Sequence, residues 1–163
     1  MPLLDATGLI ADDFRDATSV PEGWTGGLFL DGNGSFPNGF SGRRGLVLPG
    51  EAKAEEAFAA ARGFDAIAIT FPVFSDGRGF TLAQRLRRLG WAGHLRTRGP
   101  LLPDQLVMAL ACGFDAVEIA PELADRHGLE SWLAAPRLQR HRYQRNQADG
   151  LGVALAQRLE RQS

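Results

Sequence analysis

"ARGFDAIAI", residues 61–69, returns as "ACGFDAVEI" at residues 111–119. Each copy places Gly-Phe-Asp-Ala in front of an apolar run, and each follows an alanine-rich stretch that the glycine brings to an end. An apolar run of this length, bounded by turn residues, reads as a buried strand, and the stretch before it reads as a helix closed by glycine. The interval between the copies holds two strand-helix units, which is the spacing of a parallel α/β sheet or of part of a β/α barrel.

Working outward, Leu46 to Leu48 reads as a strand, Ala52 to Arg62 as a helix stopped by Gly63, and Ala66 to Phe71 as a buried strand. A helix from Leu82 to Leu89, a strand from His94 to Thr97, a helix from Pro103 to Cys112 and a strand from Ala116 to Ile119 follow. Thr81 and Gln84 have capping-box spacing, and Leu82, Leu86 and Leu89 give the helix behind them an apolar stripe. The expected fold is α/β, a mostly parallel open sheet or half-barrel-like layer of β-α-β units. Four strands of this kind are too few to close an eight-stranded barrel.

The 163 residues suit one domain, 1–163. Residues 1–43 are turn-rich and read as an irregular N-terminal extension with one strand candidate, Leu28 to Leu30. Residues 44–120 form the regular core. Residues 121–163 read as a C-terminal helical segment, with helices at Leu129 to Ala135 and Leu151 to Leu159 flanking the basic run "RLQRHRYQRNQ", residues 137–147. That run, Tyr143 among four arginines, suits docking to an acidic partner or nucleic acid, but is expected rather to be a solvated loop or to answer the acidic N-terminus, where Asp5, Asp12, Asp13, Asp16, Glu22 and Asp31 face Arg15 alone.

Composition narrows the function classes. A net charge of -1 does not suit a general nucleic-acid surface, so no nucleic-acid partner is expected. Cys112 is the single cysteine, which excludes an internal disulfide and a cysteine-ligated cluster within one chain. His94, His127 and His141 lack metal-ligand spacing, and neither a Walker loop nor a GxGxxG turn is present, so no metal and no cofactor is expected. The first residues carry neither a basic leader nor a long apolar core, so the expected location is cytoplasmic, away from membranes.

In parallel sheets the loops that follow the strands gather on one side, and ligands bind there. Applied here, the rule selects Asp76, Gly77, Arg78 and Gly79 in "FPVFSDGRGF", residues 71–80, then Arg96, Arg98 and Asp104. Glycine amides and guanidinium forks suit a small oxyanion such as sulfate, phosphate, sulfite or a carboxylate. The competing reading is structural: Asp76 and Arg78 brace a turn, and Arg96 pairs with Asp104 or with Glu118, whose charge inside "AVEIA" demands a partner. No catalytic residue is singled out, and Cys112 reads as a packed thiol.

The stretch from Ala66 to Ile119 resembles the bacterial domain of unknown function 934 family through "FPVFSDGRGFTLAQRLR", "GWAGHLR" and "LLPDQLVMALACGFDA". Its pattern is matched by Phe71, Pro72, Phe74 and Asp76 to Gly79, by Gly93, Leu95 and Arg96, and by Asp104 and Gln105, with Tyr143 and Gln144 as a further feature. Pro103, Thr97 and Arg98 depart from it. The resemblance implies a setting in assimilatory sulfate and sulfite reduction, with sulfite reductase or another enzyme of sulfate assimilation as partner. It leaves open an accessory protein, a small oxidoreductase acting on a sulfur oxyanion with an external electron donor, and a structural interaction module.

Overall fold

A computed structural model describes residues 2–139 apart from 21 and 33. The readings for Leu151 to Leu159, for Tyr143 and Gln144, and for most of the basic run from 137 to 147 lie outside the described residues.

The chain forms an α/β layer around one eight-stranded sheet. Strands β5 (Arg44–Pro49), β6 (Ala66–Thr70), β7 (His94–Arg98) and β8 (Ala116–Glu118) alternate with helices α1 (Ala54–Ala60), α2 (Arg78–Arg88) and α3 (Gln105–Ala111), and α4 (Pro121–Gln139) follows. The turn-rich N-terminal segment supplies four short strands, β1 (Leu3–Leu4), β2 (Leu9–Ile10), β3 (Phe14–Asp16) and β4 (Gly27–Leu30). Strands of two to four residues are too brief to print a periodicity. The sheet order is β2-β1-β8-β7-β6-β5-β4-β3, parallel from β3 to β8, with β1 and β2 antiparallel at one edge.

The repeated Gly-Phe-Asp has a specific purpose in this sheet. Gly63 and Gly113 follow α1 and α3 with φ of +82° and +106°, the left-handed backbone that ends a helix and that glycine alone adopts freely. Two residues later each aspartate clamps the strand beside it. The Asp65 carboxylate accepts the Arg44 N–H at 2.8 Å, and the Asp115 carboxylate accepts the Leu95 N–H at 2.7 Å. The motif therefore stops a helix and fixes the start of two neighbouring strands in register.

Alternation along the strands divides the side chains between two faces. Ile67, Ile69, Leu95 and Val117 point to the helices, where they pack with Leu82, Leu86, Leu106 and Trp132. The other face carries Phe14, Phe29, Val47, Ala66 and Ala68, a second and smaller core. The sheet curls around that face as a half-barrel.

The helix after β6 begins earlier than its capping-box spacing suggests. α2 starts at Arg78, its N-cap position is Gly77, which has no side chain to cap it, and the Asp76 carboxylate accepts the Arg78 N–H instead. Thr81 lies inside the helix, and the buried stripe starts with Gly79 and Phe80 before Leu82, Ala83 and Leu86. Packing of Phe80 against Phe71, with centroids 5.0 Å apart, supports the extra turn together with that bond.

Candidate functional site

The inner face is where two of the selected arginines meet. Pairing aligns Phe29 with Gly45, Ala68 with Arg96, and Arg96 with Ala116, so these residues share a face. Gly45, Ala66, Ala68 and Ala116 are too small to fill it. The room goes to Phe14, Phe29, Arg96 and Glu118, all buried.

A buried guanidinium is tolerated only with carboxylates and aromatic faces around it. Arg96, 2 % exposed, holds Nε 2.7 Å from Glu118 Oε1, an ionic contact without hydrogen-bond direction. Its Nη1 donates to Asp12 Oδ1 at 2.8 Å, and its plane lies 4.3 Å from the Phe29 ring centre. The expected pair with Glu118 is formed. Asp104, the other partner considered, makes no such bond, and Asp12 takes the second place.

Arg98 repeats the arrangement one step nearer the rim. Its Nε donates to Glu118 Oε2 at 3.2 Å, its Nη1 donates to Asp16 Oδ1 at 2.7 Å, and its guanidinium sits 5.1 Å from Phe29. Burial alone weakens the hold of Arg98 on its proton, but Glu118 and then Asp16 outweigh it, leaving the pKa raised. Arg98, Glu118 and Asp16 are the last residues of β7, β8 and β3, so the cluster opens at the carboxyl ends of parallel strands. A cleft of about 360 Å³ lies there, lined by Asp12, Phe14, Arg15, Asp16, Arg96, Arg98 and Glu118.

The loop after β6 does not join that cleft. Arg78 grips Asp76 through Nε at 2.9 Å and Nη2 at 2.6 Å, and the Asp76 carboxylate also accepts the Arg78 N–H at 3.1 Å. These bonds hold the Asp76 carboxyl down at about 2. Arg78 lines a separate hollow of about 240 Å³ with Glu51, Thr81 and Arg85. Gly77 has an ordinary φ of -82° and open space around it, so the turn does not demand glycine there. Gly79 is different, because a Cβ on it would come 2.5 Å from the Phe71 ring. Asp104 stands at the start of α3 without capping it. Gln105 stitches two loops, accepting the Leu102 N–H at 2.9 Å and donating to the Phe74 carbonyl at 2.8 Å.

Five residues of the cleft, Asp12, Phe14, Arg15, Asp16 and Glu118, were not among the selected site residues. Glu118 carried the signal of a charge inside an apolar strand. Asp12 and Asp16 were visible only as part of an acidic N-terminus, and nothing in the sequence states that this segment forms the sheet edge facing Arg96 and Arg98. Among the described residues, no group of three His, Cys, Asp or Glu is placed to hold a metal ion, and no helix is long and apolar enough to cross a membrane.

Residues 45–153 match the model of a family described as bacterial protein of unknown function (DUF934), and the chain belongs to that family. No curated protein matches the chain. The matched region begins within β5, so Asp12, Phe14, Asp16 and Phe29 come from sequence that precedes it.

Proposed function

We propose that this member of the family is an accessory component of assimilatory sulfite reduction, and that the Arg96 and Arg98 cleft receives a small sulfur oxyanion. The observation that carries the reading is the unequal hold on Arg98. Glu118, 2 % exposed, is fixed behind it, whereas Asp16, 54 % exposed, is a solvent-facing partner that an incoming anion can displace. Exposed pairs of this kind contribute about 0–1 kcal/mol, so the exchange costs little. The guanidinium is already oriented by Glu118 and Phe29, and little ordering is left for binding to supply.

The position agrees with this use, since ligands of α/β sheets bind outside the carboxyl ends of the strands. The sulfur setting, with sulfite reductase or a neighbouring enzyme of sulfate assimilation as partner, rests on the resemblance of "FPVFSDGRGF" and the motifs behind it. Calorimetric titration of sulfite and sulfate into the protein and into Arg98→Lys is the test. Binding by the wild type that Arg98→Lys loses supports the reading, because an ammonium does not reproduce the guanidinium fork. Equal titrations for the two proteins, each with an unchanged melting temperature, overturn it. Co-purification with sulfite reductase without turnover supports the accessory role. Turnover of sulfite with an added reductant supports the enzyme instead.

A further inference from the structure

The charges lining the cleft are balanced: Arg15, Arg96 and Arg98 face Asp12, Asp16 and Glu118. Arg96 is committed to Glu118 and Asp12, which lie 2.7 and 2.8 Å away. Arg15 spends one nitrogen, Nη1, on backbone, donating to the Asp12 and Phe14 carbonyls at 3.1 and 2.8 Å while its guanidinium stacks on Trp24. Among the ion pairs lining the cleft, the one between Arg98 and Asp16 has the solvent-facing carboxylate and is the one open to exchange at the rim.

A bare anion that enters there takes Arg98 and strands the Asp16 carboxylate beside a new negative charge. A ligand with its own cation does not. Its anionic end replaces Asp16 on Arg98, its ammonium takes the freed Asp16, and each charge keeps a partner. We propose that the cleft selects a dipolar ligand, one carrying an ammonium a short chain away from its anionic group, as in an amino acid or an aminosulfonate. The Phe14 ring, which lines the cleft, offers the apolar contact that a short carbon chain between the two charges needs. This rests on the reading that Arg98 receives an anionic group, and it narrows what that group is attached to.

The probes are taurine and ethanesulfonate, which share a sulfonate and differ by the ammonium, titrated into the full chain and into Asp16→Asn. The expected result is that taurine binds the wild type severalfold tighter than ethanesulfonate does, up to about fivefold. Asp16→Asn, at an exposed position, should fold normally and reverse the order by weakening taurine and strengthening ethanesulfonate. Equal binding of the two probes, or the same preference in Asp16→Asn, overturns the dipolar proposal and leaves oxyanion binding at Arg98 standing. Failure of both probes and of sulfite to bind the wild type removes both readings together.

Discussion

Arg96 on β7 donates to Asp12, 84 residues earlier, across an inner face on which β4, β5 and β6 intervene between the edge strand β3 and β7. Arg98 and Asp16 make the same crossing. The two bonds tie the parallel edge of the curled sheet back onto its middle, so the candidate site also closes the half-barrel.

Closure and charge burial predict unequal costs. Arg96→Ala leaves Glu118 buried beside a void, and breaking a buried pair by removing one partner costs about 3–5 kcal/mol. Asp16→Ala removes an exposed partner, for which about 0–1 kcal/mol is expected. Arg96→Met combined with Glu118→Leu should recover only part of the loss, since apolar replacements of similar size often match a buried pair but here leave Asp12 and Arg98 each one partner short. Urea unfolding of the four proteins checks the order, and a double variant as unstable as Arg96→Ala contradicts it.

Acid stability isolates the loop after β6. The Asp76 carboxyl is depressed from 3.8 to about 2, first by its side-chain hydrogen bonds from Arg78 and then by the Arg78 backbone N–H. A carboxyl depressed in the folded state adds stability above its unfolded pKa and loses it as pH falls through the folded one. The contribution is therefore present above about pH 4 and fades toward pH 2. Asp76→Asn should show a shallower loss of melting temperature across that window than the wild type does. Parallel curves for the two proteins would show that the pair does not support the fold.

Cys112 should react slowly in the native protein. Burial raises its pKa, and although Gln84 Nε2, 3.3 Å from the sulfur, opposes the shift, burial prevails. The thiolate is the reacting form. Labelling with iodoacetamide at neutral pH should be much slower in the folded chain than in urea, and comparable rates would place the thiol in solvent.

The regular half of the fold was legible because its elements repeat their chemistry. The glycine after a helix, the aspartate before a strand and the apolar run behind it occur twice, and each follows from local backbone and hydrogen-bond demands. The start of α2 differs because the Asp76 bond to the Arg78 N–H and Phe80 packing on Phe71 together outweigh the capping signal at Thr81. At the site, Arg96 and Glu118 were legible as a pair because neither charge is tolerated alone in an apolar strand. Their partners Asp12 and Asp16 were not, because β3 has three residues and its place beside β4 is set by long-range pairing. The loop of Asp76 and Arg78 looked like a ligand site because a turn brace and an anion cradle use the same residue types. The geometry places them apart: Arg78 pairs with Asp76 beside the hollow it shares with Glu51, whereas Arg98 pairs with Glu118 and Asp16 in the cleft at the strand ends.

Gly45 offers the last test, because it links the sheet to the site through one ring. A Cβ built on Gly45 would fall 2.4 Å from Phe29 Cδ1, so the ring must move. That ring lies under Arg96 at 4.3 Å and Arg98 at 5.1 Å, and a displaced Phe29 would carry both guanidiniums off their carboxylates. Overpacking of this type costs about 1–3 kcal/mol, which Gly45→Ala should show in urea. Gly77→Ala is the control: its backbone φ is ordinary and nothing lies within 4 Å of the added Cβ, so its stability should be unchanged. Gly45→Ala should also weaken taurine or sulfite binding in calorimetry, whereas Gly77→Ala should not. A Gly45→Ala protein with wild-type stability and wild-type binding would show that Phe29 does not hold the arginines in place.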